Sequence, residues 1–295
     1  MRPETPLFIY EIRAPGPTGL WDLECLPPSV CLGPLLAGSL LGLHVEADFA
    51  FLFFDRRVDL DGMLASHPDM SLQEVHEMRY DQWQDGAWSP PISLGPLLVL
   101  PCHDGEAPPG PSLPRPLGAL PPLLIDPGLA FGFGGHPTTR ACLEFLLRLY
   151  LPGTTSAPAP ETALDLGCGT GILSLAAARL GAREVLGLDH SHLAVEQAAR
   201  NVALNSLSGP VAILRAMAQD YATFPARLVM ANIPLFVLDD LIRLGAFLDR
   251  DYLVISGLLP EEGEAFLSRL SRGTPHRILD SRRSDRWMSY LIEPR

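Results

Sequence analysis

The sequence predicts a doubly wound α/β domain whose mostly parallel sheet ends in an antiparallel strand, preceded by a small α+β domain. Three observations predict it. The apolar run Ala163-Leu164-Asp165-Leu166 stops at Gly167-Cys168-Gly169-Thr170-Gly171 and resumes as the amphipathic run Ile172 to Leu180, which reads as strand, tight turn and helix. Short apolar strands then alternate with helical or loop segments, as in a parallel sheet covered on both faces. The final two strands are joined only by the polar stretch Ser281 to Arg286, too short for a crossover, so they pair antiparallel.

In chain order, Leu7 to Ile12 and Leu43 to Phe54 are strand-like and separated by Pro- and Gly-rich punctuation, so residues 1–80 read as a small separate domain. Residues 81–120 read as a stiff linker. They hold Pro108, Pro109, Pro111, Pro114 and Pro116, which cannot continue a helix or a central strand, and one strand at Leu97 to Leu100. Residues 121–295 form the α/β domain. It opens with the glycine-rich, apolar segment Ile125 to Gly135, which reads as a mobile flap, followed by His136-Pro137-Thr138-Thr139 and a helix from Ala141 to Tyr150 with Thr138 or Thr139 as its cap. His136 alone reads as a structural imidazole. After a loop at Pro152 to Pro160, strands are expected at Ala163 to Leu166, Val185 to Asp189, Val211 to Leu214, Leu228 to Asn232 and Tyr252 to Ser256, with helical runs at His192 to Asn205 and Phe236 to Leu248. The closing pair is His276 to Asp280 and Trp287 to Ile292.

Composition narrows the function. The 295 residues carry a net charge of −12, which argues against direct nucleic-acid binding, since phosphate contacts need clustered cations. All 22 basic residues are Arg; the absence of Lys excludes Schiff-base and lysine-nucleophile mechanisms. Five scattered cysteines offer no metal-ligand pairing and suit a reducing cytoplasm, so no metal is expected. No signal peptide is visible. The most membrane-like run, Val30 to Leu43, is too short and too broken by Gly and Pro to span a bilayer.

The chemistry is carried by the glycine loop and two polar strand ends. Glycines permit positive φ and close approach of a ligand to bare backbone. Asp189 follows Gly167 at roughly the 20-residue spacing of a carboxylate that accepts ribose hydroxyls. A dinucleotide loop needs a glycine where Ile172 stands. Here the third glycine comes one place early, at Gly171, which fits a cofactor without pyrophosphate, such as S-adenosylmethionine, better than NAD. Asn232 ends a buried strand at the carboxyl edge, where ligands of open α/β sheets bind; alternatively it caps the helix beginning near Pro234.

Together, Asp126-Pro127-Gly128, Ala130-Phe131-Gly132, His136-Pro137-Thr138-Thr139, the glycine loop, Asp189, Ala231-Asn232-Ile233 and Asp285-Arg286-Trp287 resemble the PrmA family, bacterial methyltransferases of a large-subunit ribosomal protein. The resemblance covers roughly residues 75 to 295. It implies a class I methyltransferase fold, S-adenosylmethionine bound through the positions matching Thr139, Gly167, Asp189 and Asn232, with Gly169 in the same loop, and methylation of lysine side chains and an N-terminal amine of a protein substrate. Asn232 is then the candidate for positioning the amine. The N-terminal domain is the part that grips the ribosomal protein in that family, and residues 1–75 resemble it only weakly. Two departures stand out: Phe133 replaces the usual Thr, and Gly135 replaces a larger polar residue. Competing readings are an adenine or glutamine N-methyltransferase, from the likeness of Asn232-Ile233-Pro234-Leu235 to an Asn-Pro-Pro-aromatic motif, and a cofactor-binding module without catalysis, encouraged by Phe133.

Overall fold

The computed structural model describes residues 5–13, 40–46, 49–79, 91–102, 120–128, 135–153 and 158–294. Phe133, Cys25, Cys31 and most of the expected flap lie outside them. The chain divides into two compact units, residues 1–88 with 191–193, and residues 89–190 with 194–295.

Among the described residues, the first unit holds a four-stranded antiparallel sheet and a short helix: β1 (Pro6–Arg13), β2 (Leu40–Glu46), β3 (Phe49–Phe54), α1 (Asp61–Ser66) and β4 (Ser71–Arg79), with strand order β2-β3-β1-β4. The period of two along β1 sends Phe8, Tyr10 and Ile12 into a core with Ala50, Leu52, Phe54, Leu60 and Met63. Tyr10 is buried because its hydroxyl is satisfied twice at 2.8 Å, donating to Val58 O and accepting from Val58 N. The run expected as one strand from Leu43 to Phe54 is two strands folded back on each other, with His44 opposite Phe51. Folding back lets β3 pair on both edges, with β1 and with β2, so its apolar stretch leaves no backbone edge bare.

The second unit begins with a small sheet, β5 (Ile92–Leu94), β6 (Leu97–Pro101) and β7 (Leu123–Ile125). Where the sequence suggested a single strand, β5 pairs antiparallel with β6 across Gly95-Pro96, Gly95 supplying a φ of +53°. The large sheet comprises β8 (Thr162–Leu166), β9 (Glu184–Asp189), β10 (Val211–Arg215), β11 (Leu228–Asn232), β12 (Tyr252–Leu258), β13 (His276–Ser284) and β14 (Trp287–Pro294), in the order β10-β9-β8-β11-β12-β14-β13. Strands β8 to β12 run parallel, and β14 is antiparallel to both its neighbours. The helices are α2 (Pro137–Tyr150), α3 (Ile172–Leu180), α4 (His192–Leu204), α5 (Leu235–Arg243) and α6 (Pro260–Leu270).

Alternate residues of the central strands feed two cores, one on each face. Leu228 and Met230 of β11 join one cluster and Val229 and Ala231 the other; Tyr252 and Val254 of β12 divide from Leu253 and Ile255 in the same way. This two-sided burial is why the strands read as apolar runs and not as alternating ones. Three boundaries differ from the sequence reading. α2 starts at Pro137, because His136 is its cap and proline suits the first helical position. α5 stops at Arg243, two residues before Gly245 at φ +74°. β13 and β14 run on through the polar stretch to a tight turn at Asp285-Arg286. Among the described residues, no helix is long and apolar enough to cross a membrane.

Candidate active site

Strand order reverses between β8 and β11, since the chain leaves β8 towards β9 and β10 on one side and returns to β11 on the other. The carboxyl ends of these two strands therefore border a crevice at the switch point, the general ligand position of open α/β sheets.

On the β8 side the site is built from backbone. Gly167, Gly169 and Gly171 hold φ values of +72°, +55° and +80°, a region that costs an L side chain energy. A Cβ on Gly167 would lie 2.4 Å from Ile233 Cγ2, so the loop also needs glycine in order to pass beneath the residue that follows Asn232. The amides of Gly167 and Cys168 both donate to Leu188 O at 2.8 Å, and Gly169 N donates to Asp189 Oδ2 at 2.9 Å. The loop and the acidic strand end, matched in sequence only by spacing, are thus joined directly. Asp189 is 9% exposed, and His190 Nδ1 lies 3.6 Å from its other oxygen.

Beneath the loop, Asp165 Oδ2 accepts from Ser174 N at 3.0 Å and Ser174 Oγ at 2.6 Å, tying β8 to the first turn of α3. Burial pushes its carboxyl up to about 6; the Ser174 hydrogen bonds oppose that rise and the nearby Asp189 charge adds to it. Cys168 sits within the loop, but burial, with Asp165 and Asp189 nearby, holds its thiol well above its ordinary range, so it is no nucleophile. Burial likewise pushes Cys142 up to about 12.

On the β11 side the site is built from side chains. Asn232 is not a helix cap: the cap of α5 is Pro234. Instead, Asn232 Nδ2 donates to Thr138 Oγ1 at 3.1 Å, across 94 positions of sequence. Thr138 Oγ1 is also 2.7 Å from His136 Nδ1, which in turn accepts from Thr138 N at 3.3 Å. The His136 ring meets Trp287 edge to face at 5.5 Å, and the Arg286 guanidinium lies 5.0 Å above the same Trp287 ring. Thr139 is 1% exposed and its Oγ1 has no hydrogen-bond partner among the described residues. A buried hydroxyl left unsatisfied costs about 1–3 kcal/mol, so this one, next in sequence to the Thr138 that bonds Asn232, calls for a partner.

The sequence missed the device that carries the chain into this site. Gln197, Asn201 and Asn205, four residues apart on α4 and just past its end, form a ladder of amides along the segment 124–128. Asn205 exchanges hydrogen bonds with Leu124 N and O (2.9 and 2.6 Å), Asn201 with Asp126 N and O (2.9 and 3.0 Å), and Gln197 Nε2 donates to Asp126 O at 2.8 Å. Asn201 also donates to Thr170 O in the glycine loop at 2.9 Å. The signal was available as three carboxamides at helical spacing, two of them on an otherwise buried face. His136 as the helix cap was missed because histidine is not a typical capping residue.

The comparisons with known proteins agree with this geometry. The family model described as ribosomal protein L11 methyltransferase (PrmA) matches residues 63–293. The ribosomal protein L11 methyltransferase of Geotalea daltonii is 34% identical over 270 residues, covering 86% of this chain and 80% of that protein. That of Geotalea uraniireducens is 38% identical over 177 residues, covering 56% of this chain and 54% of the relative. Among solved structures, the ribosomal protein L11 methylase of Lactobacillus delbrueckii subsp. bulgaricus superposes with a TM-score of 0.56 at 28% identity, over 69% of this chain and 98% of that one. The sheet order, the antiparallel last strand and this neighbour make the fold that of a class I methyltransferase. The match spans the glycine loop, Asp189, Thr139 and Asn232 together, and the chain belongs to the ribosomal protein L11 methyltransferase (PrmA) family.

Proposed function

We propose that this chain is an S-adenosylmethionine-dependent methyltransferase that methylates amines of ribosomal protein L11. One observation carries the reading: the family match spans the glycine loop, Asp189 and Asn232, and all three stand at the carboxyl edge of one sheet. The residues present fit the cofactor, in particular the positive-φ glycines, the carboxylate held at the tip of β9 and the Thr139 hydroxyl, which has no hydrogen-bond partner among the described residues. When bound, the sulfonium supplies an activated methyl group. The protein's task is then to place a neutral amine in line with it.

Holding a lysine of pKa about 10.4 neutral at pH 7 costs about 4.6 kcal/mol, against about 1 kcal/mol for an N-terminal amine near 7.8. A partly buried crevice lowers both costs by disfavouring the charged form. The Asn232 carbonyl is suited to accept an amine hydrogen and so aim the lone pair, an orienting role that needs no general base. The first unit supplies the protein-gripping surface in this reading, although residues 1–62 lie outside the family match, and a ribosomal substrate implies work in the cytoplasm. Purified protein, labelled S-adenosylmethionine and ribosomal protein L11 test the proposal, with mass spectrometry locating the methyl groups. Label on Lys or the N-terminus of L11 is expected; label on RNA, or none on L11 while the cofactor still binds, would overturn it.

A further inference from the structure

An asparagine amide has two ends that differ in chemistry but hardly in shape, so something must decide which end faces the crevice. The decision starts from a group that can only donate. The backbone N–H of Thr138 points at His136 Nδ1, so Nδ1 is an acceptor and carries no proton. Thr138 Oγ1, 2.7 Å from the same nitrogen, must therefore direct its own proton to Nδ1. Its lone pairs are left to accept, and the group 3.1 Å away, at the end of Asn232, must be the donating Nδ2. Oδ1 is turned the other way, beside Gly257, where a Cβ would lie 3.2 Å from it.

We propose that Thr138 is a positioning residue whose hydroxyl, held by His136, fixes the Asn232 amide with its oxygen available to the methyl-accepting amine. The inference rests on the reading that Asn232 orients that amine. The polarity matters because a reversed amide would present N–H to the amine nitrogen and engage the lone pair that has to attack the methyl group. A flipped Asn232 therefore blocks the reaction as well as failing to assist it. Thr138 is 2% exposed and Val has nearly its shape, so Thr138→Val removes the polarity and little else.

The test measures methyl transfer to ribosomal protein L11, with calorimetric binding of S-adenosylhomocysteine alongside. Thr138→Val is expected to lower kcat about three- to tenfold, the loss of one hydrogen bond, while the dissociation constant and the KM for L11 move less than about twofold. Thr138→Ser should restore kcat. In the Asn232→Ala background, Thr138→Val should add no further loss, since its only route to the reaction is gone. Should Thr138→Val fail to fold, Thr138→Ala is read in the same way. The inference is overturned if kcat and cofactor affinity fall in parallel, if the two substitutions are additive, or if Thr138→Val is fully active while Asn232→Ala is impaired. Full activity of Asn232→Ala would instead remove the reading of Asn232 itself, and this inference with it.

Discussion

The two sides of the crevice are made of different materials. The β8 side is backbone: three glycines at positive φ, amides gathered on Leu188 O, and one amide on Asp189. The β11 side is side chain: His136, Thr138 and Asn232, brought together from α2 and β11. A backbone surface tolerates almost any neighbour but few residues at its own positions, whereas a side-chain network tolerates several residues provided that its hydrogen-bond directions survive. The first can serve a constant cofactor and the second can be tuned to an acceptor.

The strongest way to break this contrast is Gly167→Ala. Positive φ costs about 1–2 kcal/mol and the overlap with Ile233 about 1–3 kcal/mol more, so thermal unfolding should register a loss of roughly 2–5 kcal/mol. An unchanged melting temperature would mean that the β8 side is not held by backbone geometry. Next comes Asp189→Ala, which removes the carboxylate that accepts from the Gly169 amide. With ribose hydrogen bonds worth about 1.5–3 kcal/mol each, S-adenosylhomocysteine should bind at least about tenfold more weakly by calorimetry. Binding of NAD in preference to S-adenosylhomocysteine would refute the cofactor assignment.

Asp165→Asn probes the carboxyl under the loop through pH. Its folded pKa of about 6 lies above its ordinary 3.8, so its stabilising contribution is complete below about 3.8 and is lost as pH rises through about 6. Asparagine has no such proton to lose. The difference in unfolding free energy should therefore move in favour of the variant between pH 4 and 7, by an amount on the order of 2–3 kcal/mol, and a pH-independent difference would contradict the raised pKa. The smallest effect sharpens the boundary between the two sides. Thr139→Val removes a buried hydroxyl that has no partner among the described residues, so the ligand-free protein should be equally or slightly more stable, while S-adenosylhomocysteine binds about two- to tenfold more weakly. Loss of stability without loss of affinity would make Thr139 structural.

This division also explains what could be read in the sequence. Glycine spacing announces a turn because few residues can replace it, and Asp189 was found by its distance from that turn. The central strands were legible because burial on both faces makes them apolar throughout. The small sheet of the second unit was only partly visible, since β5 and β7 have three residues each and little periodicity. Asn232 stood between two readings because sequence carries its strand end but not the Thr138 hydroxyl 94 positions away. The carboxamides of α4 were hidden for the same reason, their partners being backbone groups more than 70 positions away, whereas the capping role of His136 was hidden because histidine is an uncommon cap.

That ladder of carboxamides also bears on the order in which the molecule assembles. Leu124 and Asp126 bond to Asn205 and Asn201 across 81 and 75 positions, so these rungs, unlike the pairing of β7 with β6, form only once α4 is wound. Such long loops close late in folding. The ladder also reaches the glycine loop, since Asn201 donates to Thr170 O as well as to Asp126 O. Hydrogen exchange at the Leu124 and Asp126 amides is therefore expected to slow when the glycine loop is occupied, which would make one amide of β7 and one just past it reporters of that loop.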